Sequence, residues 1–97
     1  MALTGLLHFV GEIDIVSEKF KKRNFVIEVP NERNNDWNDF ILVQLAQDKV
    51  TAIDGLSLGS EIKCQINIRG RKHLKDGKTN YYNTVEAWKV EVLSAGF

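Results

Sequence analysis

Apolar and polar residues alternate along most of this chain, a period of two that predicts strands rather than helices. Residues 3–16 place Leu3, Gly5, Leu7, Phe9, Gly11, Ile13 and Ile15 on one face of a long first strand. The two glycines on that face mark points where a strand bends or carries a bulge. A basic connection over 17–23 leads to a second strand over 24–29, with Phe25, Ile27 and Val29 in phase. Pro30 ends it, since proline cannot continue a hydrogen-bonded ladder. A polar loop over 31–38 precedes a third strand over 39–46, rich in Ile, Leu and Val. Residues 47–54 are the one helical candidate, about two turns long. Val50 and Ile53 lie three apart on it, and Gly55 is placed to cap its end. A fourth strand over 61–68 carries Ile62, Cys64, Ile66 and Ile68 in phase, and a fifth covers 81–93. The apolar phase of the fifth slips between Ala87 and Trp88, which predicts a bulge.

Between the last two strands the chain reads Arg69-Gly70-Arg71-Lys72-His73-Leu74-Lys75-Asp76-Gly77-Lys78-Thr79-Asn80-Tyr81-Tyr82-Asn83. This is a hairpin turning at Asp-Gly, with a cationic tip and an aromatic return. The order β-β-β-α-β-β predicts an all-β fold. It matches the oligonucleotide-binding (OB) barrel, a five-stranded Greek key, with one short helix between strands three and four. The long glycine-bent first strand suits a closed barrel, because one strand must serve both sheets. An SH3-like barrel is the rival, and the position of the helix favours the OB arrangement.

Ninety-seven residues fit one domain spanning 1–97. Net charge is zero, from 13 basic and 13 acidic side chains, which at first argues against nucleic acid; the distribution changes that picture. Lys19, Lys21, Lys22 and Arg23 form one basic run, and Arg69, Arg71, Lys72, Lys75 and Lys78 a second. The segment between them is mostly acidic, with Glu28, Glu32, Asp36, Asp39, Asp48 and Asp54. The lone Cys64 cannot form an internal disulfide and sits in phase with core isoleucines, which favours a reducing compartment. With no signal peptide or apolar run of membrane-spanning length, the expected location is the cytoplasm of a bacterial or phage-infected cell. No Cys/His metal spacing, Ser-His-Asp set or glycine-rich phosphate loop appears, so neither cofactor nor enzymatic activity is expected.

Barrels of this type bind single strands across strands two and three, between the first and last hairpin loops. The two basic runs fall in those loops. One such run alone reads as a solvated loop; two at the cleft make Lys19, Lys21, Lys22, Arg23, Arg69, Arg71, Lys72, Lys75 and Lys78 candidate phosphate contacts. Phe20, inside the first run, either stacks on a base or folds back over the barrel end. Trp37, in the polar loop, either stacks or covers the barrel mouth. Tyr81 and Tyr82 are adjacent on a strand and point to opposite faces, so at most one lines the cleft, and either is a candidate. His73 is a further stacking candidate. Phe25 reads as core, Trp88 as core more readily than ligand, and His8 has no evident partner.

Strands three to five resemble the bacterial single-stranded-DNA-binding protein family. The resemblance rests on Phe40-Ile41-Leu42-Val43-Gln44-Leu45, Asp48-Lys49, Leu58-Gly59-Ser60-Glu61-Ile62, Arg69-Gly70-Arg71-Lys72, the Asp-Gly loop and Tyr82-Asn83-Thr84, in that order. Residues 20–28 and 87–90 are similar to short bacterial and phage barrels of this type. The resemblance covers most of the chain. It implies a non-enzymatic protein that binds single-stranded DNA with little sequence preference during replication, recombination or repair. It also implies a stacking role near Phe40 and favours Tyr82 over Tyr81. Related barrels pair through the first strand, where Leu6 and Val10 on its second face provide surface, so a homodimer or higher oligomer is expected. The family's Gly/Pro-rich tail with an acidic tip has no counterpart in Ser94-Ala95-Gly96-Phe97, so recruitment of partners through such a tip is not expected. Two other readings stand beside this one. An RNA-binding or primosome-type OB module would differ by contacts to the 2′-hydroxyl. A protein-interaction or assembly barrel, left open by the zero net charge, would bury Phe20, Trp37 and Tyr82 against another chain.

Overall fold

Five strands wind into a closed barrel in the order β1-β2-β3-β5-β4 in the computed structural model, which describes residues 1–31, 33 and 35–95. They are β1 (Ala2–Ser17), β2 (Phe20–Val29), β3 (Asp39–Ala46), β4 (Glu61–Lys75) and β5 (Lys78–Ser94). Every pair is antiparallel except β3 with β5, where Val43 beside Val85 closes the ring in parallel. β1 serves both sheets: Ala2 to Leu6 pair with β4, while Leu6 to Ser17 pair with β2. This is the OB barrel that the strand order predicts.

The core is what the two-residue period dictates. Phe25 and Ile27 of β2, Val43 and Leu45 of β3, and Ile62, Cys64 and Ile66 of β4 point inward and are buried, with Leu7 and Ala87. Each large aliphatic or aromatic side chain removed from water contributes about 1.5–3 kcal/mol. β1 departs from its single predicted face. Register shifts between Leu7 and Phe9 and between Val10 and Ile13 turn the strand twice. Phe9 and Ile13 are therefore exposed, while Val10 packs against the core. The second shift falls at Gly11, as its glycine suggests. Gly5 keeps regular register, and its role is close approach: a Cβ there would collide with the Glu28 carbonyl and crowd Ile27.

The predicted helix is a 3-10 segment, Gln47–Thr51, not two α-turns. Ala46 supplies no capping side chain, and Gln47 enters at a φ of 56°. The backbone then bonds three residues back, Ala52 to Lys49, Asp54 to Thr51 and Leu56 to Ile53. Val50 and Ile53 still close the barrel end, and Gly55 follows at a φ of 78°. In the connection from β2 to β3, Asn35–Trp37 forms another 3-10 turn; Glu32 and Asn34, like Gly96 and Phe97 at the end of the chain, lie outside the described residues.

The basic segments are not loops. β1 and β2 turn through Glu18 and Lys19 alone, with Ser17 paired to Phe20, so residues 20–23 already belong to β2. β4 and β5 run on past the barrel as a two-stranded ribbon to Lys75 paired with Lys78. Asp76 and Gly77 make the turn with φ of 52° and 76°, the positive values that a tight I′ hairpin requires. These projections raise the radius of gyration to 14.9 Å, above the roughly 12.5 Å of a compact chain of this length. The bulge in β5 falls where the phase slip places it: Lys89 pairs with Gln65 and Ala87 with Ile66, leaving Trp88 as the extra residue.

Burial pushes the Cys64 thiol up to about 11, so it stays protonated and closed to reagents at neutral pH. A disulfide-exchange reagent at pH 8 is expected to leave the native protein unmodified and to label one thiol per chain in denaturant. Rapid labelling of the native protein would contradict the closed barrel.

Candidate nucleic-acid interface

Because β2 buries Phe25 and Ile27, its alternate residues Lys22, Asn24, Val26 and Glu28 face outward. β3 likewise buries Val43 and Leu45 and turns Phe40, Leu42 and Gln44 outward. The register sets these side chains opposite one another: Asn24 with Gln44, Val26 with Leu42, and Glu28 with Phe40. The β1 shift after Leu7 brings Phe9 beside Val26. The outer face thus carries an apolar row, Phe9–Val26–Leu42, between a polar row and the Glu28–Phe40 pair.

The same period sorts the ribbon. Arg71 pairs with Tyr82, His73 with Asn80 and Lys75 with Lys78 on the side that continues the barrel exterior, in line with Arg69. Lys72 pairs with Tyr81 and Leu74 with Thr79 on the opposite side. The cationic stretch therefore divides, with Lys72 and Tyr81 turned away from Arg69, Arg71 and Tyr82.

The two basic segments meet. A groove of about 590 Å³ is lined by Phe20 and Lys22 of β2, Gln44 of β3, Arg69 and Arg71 of β4, and Thr84 of β5. Glu86 also borders it, its carboxylate 3.8 Å from the Arg69 guanidinium. A second depression of about 190 Å³, lined by Asn24, Leu42, Asn83 and Val85, shares Gln44 and Thr84 with the first. Together they form a trough over the β2–β3 face, cationic towards the ribbon, with the Glu28–Phe40 pair further along the same outer face.

Of the other sequence candidates, Lys19 sits at the β1–β2 turn, where its carbonyl accepts from the Gln47 amide at 2.7 Å. Lys21 lies outside the trough, beside Ile15 and Gln47. Trp37 is 69% exposed and does not cover the barrel mouth, and Phe40 is 56% exposed. Trp88 is a correction: the bulge lifts it out of the core and leaves it 48% exposed. His8, which the sequence leaves without a partner, meets the Phe40 ring edge-on at 4.8 Å between centroids. Arg23, on the inward side of β2, acts as a brace. Its Nε donates to the Gly11 carbonyl at 2.8 Å, and its Nη1 to the Val50 carbonyl at 3.1 Å and the Asp54 carboxylate at 2.5 Å. Sequence reading missed Asn24, Leu42 and Gln44; period-two alternation against Phe25, Val43 and Leu45 is the signal that finds them.

Among the described residues no group of three or more His, Cys, Asp and Glu side chains could hold a metal ion. No helix among the described residues is long and apolar enough to cross a membrane.

The architecture is an OB barrel, a fold it shares with several solved proteins. It is similar to the N-terminal domain of the PriB protein from Thermoanaerobacter tencongensis, with 20% identity over 96% of this chain and 93% of that one, at a TM-score of 0.66. A small single-stranded-DNA-binding protein from Streptomyces coelicolor superposes at a TM-score of 0.58 with 11% identity, over 95% and 91% of the two chains. The mitochondrial single-stranded-DNA-binding protein Rim1 from S. cerevisiae does so at 0.67 with 9% identity, over 99% and 97%. The chain belongs to the family described as "Domain of unknown function (DUF3127)", which matches residues 2–91. No curated protein matches its sequence.

Replacing Arg23 by alanine leaves two backbone carbonyls and Asp54 without their donor, a loss of about 1–3 kcal/mol. Urea unfolding of Arg23→Ala is expected to move to a lower midpoint. An unchanged midpoint would show the guanidinium to be free for other contacts.

Proposed function

We propose that this barrel binds single-stranded DNA along the β2–β3 trough with little sequence preference, protecting it in replication, recombination or repair. The observation that carries the reading is the convergence of Phe20, Lys22, Arg69 and Arg71, from opposite ends of the chain, around one groove. Cations there neutralise backbone phosphates and release counterions. The exposed rings of Phe40 and Tyr82, with Phe20, offer stacking faces worth about 1–3 kcal/mol per base. Every base has a π-face, so this mode tolerates sequence. The similar barrels from Streptomyces and yeast mitochondria are themselves single-stranded-DNA-binding proteins, which supports the reading.

Labelled poly-dT of about 30 nucleotides, titrated at low and moderate salt, tests it. Tight binding that weakens with salt is the expected result. Arg71→Ala should lower affinity about tenfold, or ~1.4 kcal/mol, and reduce the salt slope by about 0.7. Lys72→Ala, on the far side of the ribbon, should do much less. No binding at low salt by a folded protein would sink the DNA reading and favour an assembly barrel. Equal loss in the two variants would place the strand elsewhere.

The protein also pairs with itself in this proposal. The related PriB domain is dimeric, and β1 presents Leu6 at 37% and Phe9 at 55% exposure. Val10, the other residue that the sequence offered for pairing, is turned to the core. Light scattering is expected to give twice the 11.1 kDa chain mass; a monomer mass would refute pairing.

A further inference from the structure

Glu28 is out of place on a surface built for phosphates. It faces outward directly across from Phe40, further along the same face from Lys22 and Arg71. It is also held in position. The Asn38 amide donates to its Oε2 at 2.8 Å, and Asn38 is itself fixed by accepting from the Asn31 N–H at 3.0 Å. The remaining oxygen, Oε1, lies 3.9 Å from His8 Nδ1, too far for a hydrogen bond. His8 in turn touches the Phe40 ring edge-on, so that ring is fixed on one side and 56% exposed. The result is an oriented carboxylate with acceptor capacity beside an open aromatic face.

A carboxylate repels a phosphate, so this part of the face favours a base edge instead. A base stacked on Phe40 lies beside Glu28, and the carboxylate favours the base edge that presents donors to it. Guanine presents two adjacent donors there, N1–H and the N2 amino group, which match a carboxylate side by side. Cytosine and adenine present one amino group next to an acceptor nitrogen. Thymine presents one N–H between two carbonyls, both repelled by the carboxylate. Gln44 lies four residue steps along β3 from Phe40, about 13 Å. A short run of nucleotides therefore spans the distance from this base to the phosphates held at Lys22 and Arg71.

We propose that Glu28 and Phe40 form a guanine-selective position within an otherwise sequence-tolerant trough. The inference rests on the single-strand-binding reading of the same face. Its test compares a dT oligonucleotide with a series carrying one dG walked along its length, for the wild type and for Glu28→Gln. In the wild type, one register of dG is expected to bind about fivefold or more tighter than dT alone. Glu28→Gln should abolish that gain while binding plain dT as tightly as the wild type or more so, which also shows that the variant is folded. Asn38→Ala, which frees the carboxylate to swing, should weaken the gain without changing the affinity for dT. Binding of dT with no dG preference, or with a preference that survives Glu28→Gln, overturns the guanine position and leaves the general function standing. Failure to bind either oligonucleotide overturns both.

Discussion

The register between β2 and β3 is the constraint on which everything else in this protein depends. Phe25, Ile27, Val43 and Leu45 are all wholly buried. A slip of one residue between these strands would expose half of that set and bury Asn24, Gln44 or Glu28 without partners. The cost of such a slip fixes the pairing, and the pairing composes the outer face. Lys22, Asn24, Leu42, Gln44, Phe40 and Glu28 hold their positions on the trough because their sequence neighbours fill the core. The ribbon inherits the same phase through β4, where Ile62, Cys64 and Ile66 point inward, and so it sends Arg69 and Arg71 to the trough side and Lys72 to the other.

Charge separation follows from the same geometry. The sequence alternates basic, acidic and basic segments within a chain of zero net charge, and the fold brings the two basic segments together at one end of the trough. From the acidic segment, Glu28 faces outward further along the same face, opposite Phe40, while Asp54 turns away to hold Arg23. Zero net charge is thus compatible with a locally cationic groove, because an attractive potential depends on where charges lie rather than on their sum.

Much of this was legible in the sequence. Strand phase alone gave the core of β2, β3 and β4, the bulge at Trp88 and the Asp76-Gly77 turn, because each rests on a local period or a single local geometry. What failed was non-local. The bulge at His8 has no glycine to announce it, so Phe9 and Val10 exchanged faces unseen. The extent of the pairing is also hidden: charged residues read as solvated connections, whereas cross-strand pairing alone sustains a ribbon of mixed polarity. Arg23 reads as one of a basic run, although its inward parity, shared with Phe25, marks it as a brace. Residue type places Trp88 in the core, and a bulge overrides it.

The account stands on a single strand lying across the outer face of β2 and β3, and amide chemical-shift mapping during titration with a short dT oligonucleotide locates it directly. The predicted result is a contiguous set of perturbed amides through residues 22–28, 40–44 and 69–71, with Lys63, Gln65 and Glu91 on the β4–β5 barrel wall unaffected. Perturbations confined to that wall, or to the Lys72–Leu74–Tyr81 side of the ribbon, would contradict it.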